Sequence, residues 1–533
     1  METLNEERWV FEMCVVVPKR IADQVVEGYG YDCVDVLVDE FYKTGLIVDR
    51  VVGIHDGFIK LAAPVEVLGK AATELQLKKR TQIGVDLQFQ WDEAEAFTKQ
   101  SDGSMFSWFE RFRCYNHLIY GIVNKSDSPV ILKSNCRDVV WEPGESLVRK
   151  LEKEGIVKEV FPIHDEMKRK RLLRCWALNW WDLTDQPLDE IYCYYGPKIA
   201  TYFAFLGMYA KWLFIPAAFG IILQSVAFRS LQFLVLPLFF ICIVSWAAFF
   251  FQFWKRKNST LLARWQICYP DGAESTYKYT DTELSSSHSS VELLKKYAAD
   301  KSEEKEKIQR EELSGLMLRF RNDAIIILST IGLQLPFELA YAHLYESIGS
   351  DIMKFGLTTV YLYAIQYFTQ MGGKASAKLI KNEKNENSEY KANSLVYKVF
   401  GLYFMQSYIG LLYHAILHRN FMTLRHVIIQ RLIVSEVLEI VIGNLLPYIK
   451  FSYGKYRAVH NKRKPETGSV AGKSNFSSRV EKEYLKPKFS ASVGEELEDG
   501  LFDEFLELAL QFGMVMMFAC AFPAAFALAA LVN

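Results

Sequence analysis

Residues Tyr202–Phe253, YFAFLGMYAKWLFIPAAFGIILQSVAFRSLQFLVLPLFFICIVSWAAFFFQF, contain only two charges, Lys211 and Arg229. The whole chain holds 62 Lys+Arg and 63 Asp+Glu in 533 residues, a charged share of 23%. At that density about 12 charges would fall here, as in an ordinary soluble composition. The stretch therefore reads as two bilayer-crossing helices of about 20 residues each, at 202–223 and 231–253. Five more apolar stretches follow at 324–345, 352–372, 395–417, 432–450 and 503–525, giving seven expected spans. The chain is a membrane protein diluted by soluble parts. Its net charge of -1 excludes a strongly basic nucleic-acid binder, and 15 Pro with 30 Gly do not suggest a disordered chain.

Flanking positive charges orient the spans. Lys168, Arg169, Lys170, Arg171 and Arg174 precede the first, and Lys255, Arg256 and Lys257 follow the second. Lys374, Lys378 and Lys381 follow the fourth, and Lys450, Lys455 and Arg457 follow the sixth. All four clusters fall on one side, which is then cytosolic. The misfit is the expected outside loop 418–431, which holds Arg419, Arg425 and Arg431. Nine cysteines without a CxxC pair point to reduced thiols. The sequons at Asn124, Asn258 and Asn475 all fall on the cytosolic side and read as chance.

Residues 1–175 read as a cytosolic α/β domain. The acidic start and the short run Trp9–Val17 do not make a cleavable signal, so the N-terminus is expected in the cytosol. Trp9–Val17, Leu46–Gly53, Phe58–Ala63 and the alternating Gly84–Gln90 read as strands. Lys19–Thr44 and Pro64–Lys79 are spaced as amphipathic helices. The order β-α-β-β-α-β resembles a ferredoxin-like sandwich, a superfold that does not specify function. A pre-membrane segment, 176–201, leads to a transmembrane domain over 202–533 with polar cytosolic loops at 254–323 and 451–502.

Polar groups in a span are costly and usually face protein or water. In the fourth span Thr359, Tyr363, Gln366 and Gln370 recur at i, i+4, i+7 and i+11, one helical face. Tyr403, Gln406, Gly410 and Tyr413 repeat the arrangement in the fifth, as do Glu436, Glu439, Gly443 and Pro447 in the sixth. Such stripes either glue helices together or line a shared hydrophilic path; the two carboxylates favour the path. In the seventh span Glu504 and Glu507 stand at i and i+3, one turn apart on one face. Like charges so placed repel unless protons or a cation intervene, and Ca²⁺ prefers carboxylate and amide oxygens, so a cation pair competes with a hydrated interfacial pair. Asn444, at comparable depth in the sixth span, could add an amide oxygen.

Several ordered motifs now resemble one family. Leu188-Asp189-Glu190-Ile191 with Tyr195-Gly196-Pro197-Lys198-Ile199-Ala200 precede the first span, and Phe253-Trp254-Lys255-Arg256-Lys257-Asn258 with Ala263-Arg264-Trp265 follow the second. Glu507-Leu508-Ala509-Leu510-Gln511-Phe512-Gly513 and Phe522-Pro523 lie in the last. Together they resemble the anoctamins over residues 160–533, and short luminal loops resemble the anoctamin-10-like branch and its plant relatives. That resemblance implies a ten-helix fold, a homodimer, and a groove lined by helices three to seven through which phospholipid headgroups or anions pass. It implies calcium held by helices six to eight, with Glu504 and Glu507 as the helix-seven pair, Asn444 as the helix-six ligand and Glu439 in reserve. The stripes carrying Thr359, Tyr363, Gln366, Gln370, Tyr403, Gln406, Tyr413 and Glu436 then fall on groove helices. The family continues past the position of Asn533 into further acidic helices, so a truncated form with an incomplete calcium site is expected.

Three functions follow. The leading expectation is calcium-regulated, passive phospholipid scrambling, since no GxxxxGK[ST] loop suggests pumping. The alternative is a calcium-activated chloride or ion channel on the same scaffold, although a path for anions should favour Lys and Arg. The third is a non-conducting membrane tether. An enzyme is not expected: His414 and His418 lack the carboxylate base of HExxH. Modest luminal loops favour an endomembrane such as the endoplasmic reticulum.

Overall fold

The computed structural model describes residues 9–18, 32–53, 56–100, 103–133, 138–178, 186–225, 232–265, 317–318, 320–326, 328–329, 332–345, 347–381, 388–417, 419, 421–439, 441, 445–461, 479–486 and 501–532. It divides into two units: residues 1–200 with 448–488, and residues 201–447 with 489–533.

The first unit is built on β1 (Met13–Pro18), α1 (Cys33–Lys43), β2 (Ile47–Val52), β3 (Asp56–Ala62) and α2 (Val65–Glu74). Apolar patterning predicts these elements with wider bounds: residues 19–31 of the expected helix Lys19–Thr44 lie outside the described residues, and Lys78 and Lys79 of the expected helix Pro64–Lys79 belong to a strand instead. α1 starts where the Asp32 carboxylate accepts from the Val34 amide, supplying a partner that a first-turn N–H lacks. The next expectation is corrected. Within 84–90 only β5 (Asp86–Gln88) is a strand, and it pairs with β4 (Lys78–Arg80) in a separate hairpin. Its alternation does not bury one face, since Val85 and Leu87 are both exposed. After α3 (Trp108–Tyr120), β6 (Val130–Leu132), β7 (Val139–Trp141) and α4 (Leu147–Lys153), the fourth place in the main sheet goes to β8 (Glu159–Pro162). The sheet order is β2-β3-β1-β8, antiparallel throughout.

Successive side chains of a strand point to opposite faces. Met13, Val15 and Val17 pack with Leu37, Phe41 and Ile59, and Tyr115 joins this core while its hydroxyl accepts from the Ala63 amide at 2.8 Å. Cys14 and Val16 meet Phe58 and Phe161 on the other face, under Val480 and Tyr484 of a helix from far along the chain, α13 (Arg479–Tyr484). Both faces being covered explains why MCVVVP is apolar without alternation. Short helices α5 (Glu166–Leu172) and α6 (Leu188–Tyr195) complete the unit. α6 ends at Gly196 with φ of +91°, and a Cβ there would lie 2.4 Å from the Phe109 ring, so the position takes glycine.

The second unit is helical. α7 (Pro197–Ser225) and α8 (Gln232–Trp265) cover the opening apolar pair. Among the described residues three helices are long and apolar enough to cross a membrane: Pro197–Ser225, Leu234–Trp265 and Val396–Ile416. Large apolar side chains such as Phe219, Ile222 and Ile241 stay exposed, as expected of a surface solvated by lipid. Residues 332–345 are helical, followed by α9 (Asp351–Lys381) and α10 (Ser388–Leu412), the latter ending in a π turn over Tyr413–Leu417.

Two span boundaries are corrected. The expected loop 418–431 and sixth span 432–450 are instead α11 (Phe421–Glu439) and α12 (Leu446–Asn461). Arg431 therefore lies inside a helix. The expected seventh span, 503–525, is α14 (Phe502–Met517) and α15 (Ala525–Val532), separated by turns. Pro523 has no N–H to give an α-helix and stands in this break.

One side chain of the first unit makes its stability pH-dependent. His164 stacks on Trp108 at 5.3 Å, and its Nδ1 lies 3.2 Å from the Tyr194 hydroxyl. Burial holds the imidazole below its usual pKa of 6.5; Glu483 opposes this, while Arg169 and Lys486 add to it. A depressed histidine pKa means that the unfolded chain binds the extra proton first, so stability falls as pH drops through about 6.5. Thermal or proteolytic melting of this unit between about pH 7 and 5 should show that slope, and His164→Gln should flatten it.

Candidate functional site

The apolar helices of the second unit bury a polar network that begins at Glu338, wholly inaccessible within the helical stretch 332–345. Tyr361 of α9 donates its hydroxyl hydrogen to Glu338 Oε2. Arg431 of α11, 4% exposed, places Nη2 2.9 Å from that hydroxyl and 4.0 Å from the same carboxylate oxygen. Its Nη1 donates to the carbonyl of Ser407 in α10. Four helices thus meet at one buried charge pair. A glycine faces the pair: a Cβ at Gly410 would lie 2.3 Å from Glu338 Oε1 and 2.7 Å from Arg431 Nη2.

Secondary contacts extend the network. The rings of Tyr341 and Tyr361 stack at 4.1 Å, and the Tyr341 hydroxyl lies 3.0 Å from Thr358 Oγ1. Thr358 in turn lies 3.0 Å from Gln430 Oε1. Gln334 donates from Nε2 to the carbonyl of Gln406 at 2.7 Å. In a low-dielectric interior these bonds matter because a buried polar group left without a partner costs about 1–3 kcal/mol, and a charge more.

Against this arrangement the residues expected from sequence separate. Gln406 is buried and its backbone carbonyl belongs to the network. Thr359 is half-buried and bonds back to the Phe355 carbonyl at 2.9 Å, while Tyr363 is 58% exposed. Both lie off the side of α9 that carries Thr358, Tyr361 and Leu362 into the interior. Tyr403 packs half-buried beside Val399 and Leu506, and Tyr413 stands edge-on to His414 at 5.3 Å. The side chains of Gln366, Gln370, Glu436 and Glu439, and the whole of Asn444, lie outside the described residues. Glu338 and Tyr361 were not singled out by sequence, and Arg431 was noted only as a charge misfit in an expected loop, although an acidic residue inside an apolar stretch was a readable signal at Glu338.

Glu504 and Glu507 are both half-buried on α14. Tyr202 of α7 donates to Glu504 Oε2 at 3.3 Å. α14 is held further by Tyr408, whose hydroxyl donates to the Leu510 carbonyl at 2.5 Å, and by the 3.4 Å contact between the Tyr209 hydroxyl and Gln511 Oε1. Among the described residues no group of three His, Cys, Asp or Glu could hold a metal ion. Two carboxylates supply at most four oxygens where calcium takes six to eight. The described pair alone therefore does not fit a calcium site.

The fold and network define a helical, multi-pass membrane protein with an N-terminal α/β unit. The profile of the family described as "Anoctamin: Calcium-activated chloride channel" matches residues 191–533, and the chain belongs to the anoctamin family. It is 28% identical over 405 residues to Anoctamin-10 of Mus musculus, covering 73% of this chain and 57% of that protein. Anoctamin-10 of Homo sapiens is 26% identical over 398 residues with the same coverage. Anoctamin-7 of Homo sapiens is 24% identical over 470 residues, 71% of this chain and 48% of its own. The chain spans about half the length of these relatives.

Removing one member of a buried ion pair strands the other at a cost of about 3–5 kcal/mol, whereas replacing both by apolar groups is often tolerated. Arg431→Met alone and Glu338→Leu alone should each lower the melting temperature of the detergent-purified chain. The double variant should recover part of the loss, measurable as coupling in a double-mutant cycle.

Proposed function

We propose that this chain provides an anoctamin-type passive route for phospholipid headgroups. The carrying observation is the two-sided character of α9. Thr358, Tyr361 and Leu362 are buried in the network, whereas Thr359, Tyr363 and Tyr367, at i, i+4 and i+8, remain half or fully open. Neutral hydroxyls on an accessible face can replace part of a headgroup's hydration at little cost while the acyl tails stay in lipid. Gln366 and Gln370, with Tyr403, Gln406, Tyr413 and Glu436 on the neighbouring helices, are proposed to extend this path.

The second reading is a calcium-activated chloride channel, favoured by the family's description. Anion conduction calls for accessible positive charge along the path. Arg431 is instead buried against Glu338, and the Lys398 side chain is 3% exposed beside Asp323 at 3.5 Å. Pairing and burial of these two cations favour lipid over chloride, the exposed Lys374 and Lys378 standing well beyond Thr359 and Tyr363 along α9. Regulation by calcium through Glu504 and Glu507, completed by Asn444 or Glu439, belongs to the same proposal, as do homodimerisation, residence in the endoplasmic reticulum or another endomembrane, and a cytosolic N-terminal domain over residues 1–175. The antiparallel order β2-β3-β1-β8 supports reading that domain as a ferredoxin-like sandwich.

Reconstitution into liposomes carrying a fluorescent lipid tests the reading, with dithionite accessibility and chloride efflux recorded on the same preparation. Labelled lipid should become accessible from both leaflets, several-fold more slowly in a Thr359→Ala, Tyr363→Ala, Tyr367→Ala variant. Chloride efflux without lipid exchange would sink it. Glu504→Gln with Glu507→Gln should abolish any calcium response while leaving the chain folded; an unchanged response removes the pair from regulation.

A further inference from the structure

The segment ahead of the first span is a basic helix with more apolar surface exposed than solvent warrants. α5 and the π turn Leu173–Ala177 run on into Leu178. Between Glu166 and Leu178 stand five bases, Lys168, Arg169, Lys170, Arg171 and Arg174, against one acid, Glu166. That acid is already engaged by Arg169 at 2.9 Å, Lys170 at 3.2 Å and Lys486 at 3.3 Å. Met167, Lys170, Arg171 and Arg174 recur at i, i+3, i+4 and i+7, and all four are exposed. Leu172 is buried and Trp176 half-buried, so the segment is anchored to its own unit by another side. Yet Met167 is 80% exposed, Leu173 47% and Leu178 62%.

A solvated charge run needs no such apolar residues. Basic side chains interleaved with exposed apolar ones are the composition of a helix lying in a membrane interface, where the bases meet lipid phosphates and the apolar groups enter the acyl boundary. Juxtamembrane clusters of this size bind anionic leaflets. Only 19 positions of sequence separate Leu178 from the candidate span beginning at Pro197, which tethers the segment within reach of such a surface. The exposed pair Arg171–Glu190, at 3.3 Å, does not withdraw the arginine, since surface ion pairs are worth little.

We infer that the segment Met167–Leu178 is a docking surface for an anionic bilayer, with Lys168, Lys170, Arg171 and Arg174 facing lipid phosphates and Met167, Leu173 and Leu178 inserted beside them. The attraction is electrostatic at range and decays over a Debye length, so salt weakens it. Insertion of the apolar groups is less sensitive to salt.

Hydrogen exchange of the full chain in nanodiscs tests this, comparing pure phosphatidylcholine with discs in which a third of the lipid is phosphatidylserine. Amides of 167–178 should exchange several-fold more slowly in the anionic discs, and added salt should reduce the difference. Lys168→Gln, Lys170→Gln, Arg171→Gln and Arg174→Gln together should erase it. Met167→Ser, Leu173→Ser and Leu178→Ser together should weaken protection with the charges intact. Amides of α1 report folding; should a variant disturb them, the salt and lipid dependence of the native chain decides. Equal exchange in the two discs, or protection that survives in the charge-neutral variant, overturns the inference.

Discussion

A charge pair in an apolar surrounding constrains the second unit. An arginine at the centre of a membrane helix costs about 2.5–3.5 kcal/mol on insertion scales, and it is retained where it faces a partner inside the bundle. Arg431 satisfies that condition by drawing together Glu338, the Tyr361 hydroxyl and the Ser407 carbonyl. None of the four helices involved can rotate far without stranding a charged or polar group. Gly410 is the steric counterpart, leaving the volume that the carboxylate and guanidinium occupy. Dispersion and small-residue packing then act on helices whose register is already set.

The N-terminal unit shows what apolar patterning can and cannot reveal. Three strands and parts of two helices followed from runs of β-branched and amphipathic residues, because each element meets a water-excluded core. The fourth strand did not. Gly84–Gln90 alternates, but Val85 and Leu87 are exposed in a small hairpin, while Glu159–Pro162 is too short to signal itself. Nor could local reading find that Val480 and Tyr484, more than four hundred residues away in sequence, cover the second face of β1. The unbroken run Met13–Val17 was the trace of that cover, since a strand apolar on both sides must be buried on both.

In the membrane unit the charge rule applies to solvated charges and misreads a buried one. The basic clusters beside the apolar stretches give a consistent orientation. Arg431 spoiled the pattern only because the count treated it as a loop residue; it is in a helix and 4% exposed. Positive charges orient a span through their cost of crossing the membrane, and a cation paired inside the bundle reports packing instead. At Arg431 the misfit was therefore the signal of the buried pair, with Glu338, the acid within the apolar stretch 324–345, as its partner, whereas Arg419 is exposed and Arg425 lies over the Phe522 ring.

The same distinction governs the polar stripes. In a water-soluble helix the apolar face identifies the interior, so a polar residue is assigned by elimination. In lipid both faces are apolar and periodicity loses that meaning. Thr358 and Thr359 are neighbours in sequence and about 100° apart around α9. Thr358 is buried with Tyr341 and Gln430, whereas Thr359 returns its hydrogen to its own backbone and stands beside the open Tyr363. One residue's rotation separates a group buried between helices from one on the open side of α9. Spacing identifies a stripe; only the partner across the interface tells whether that stripe holds the bundle together or serves as its path.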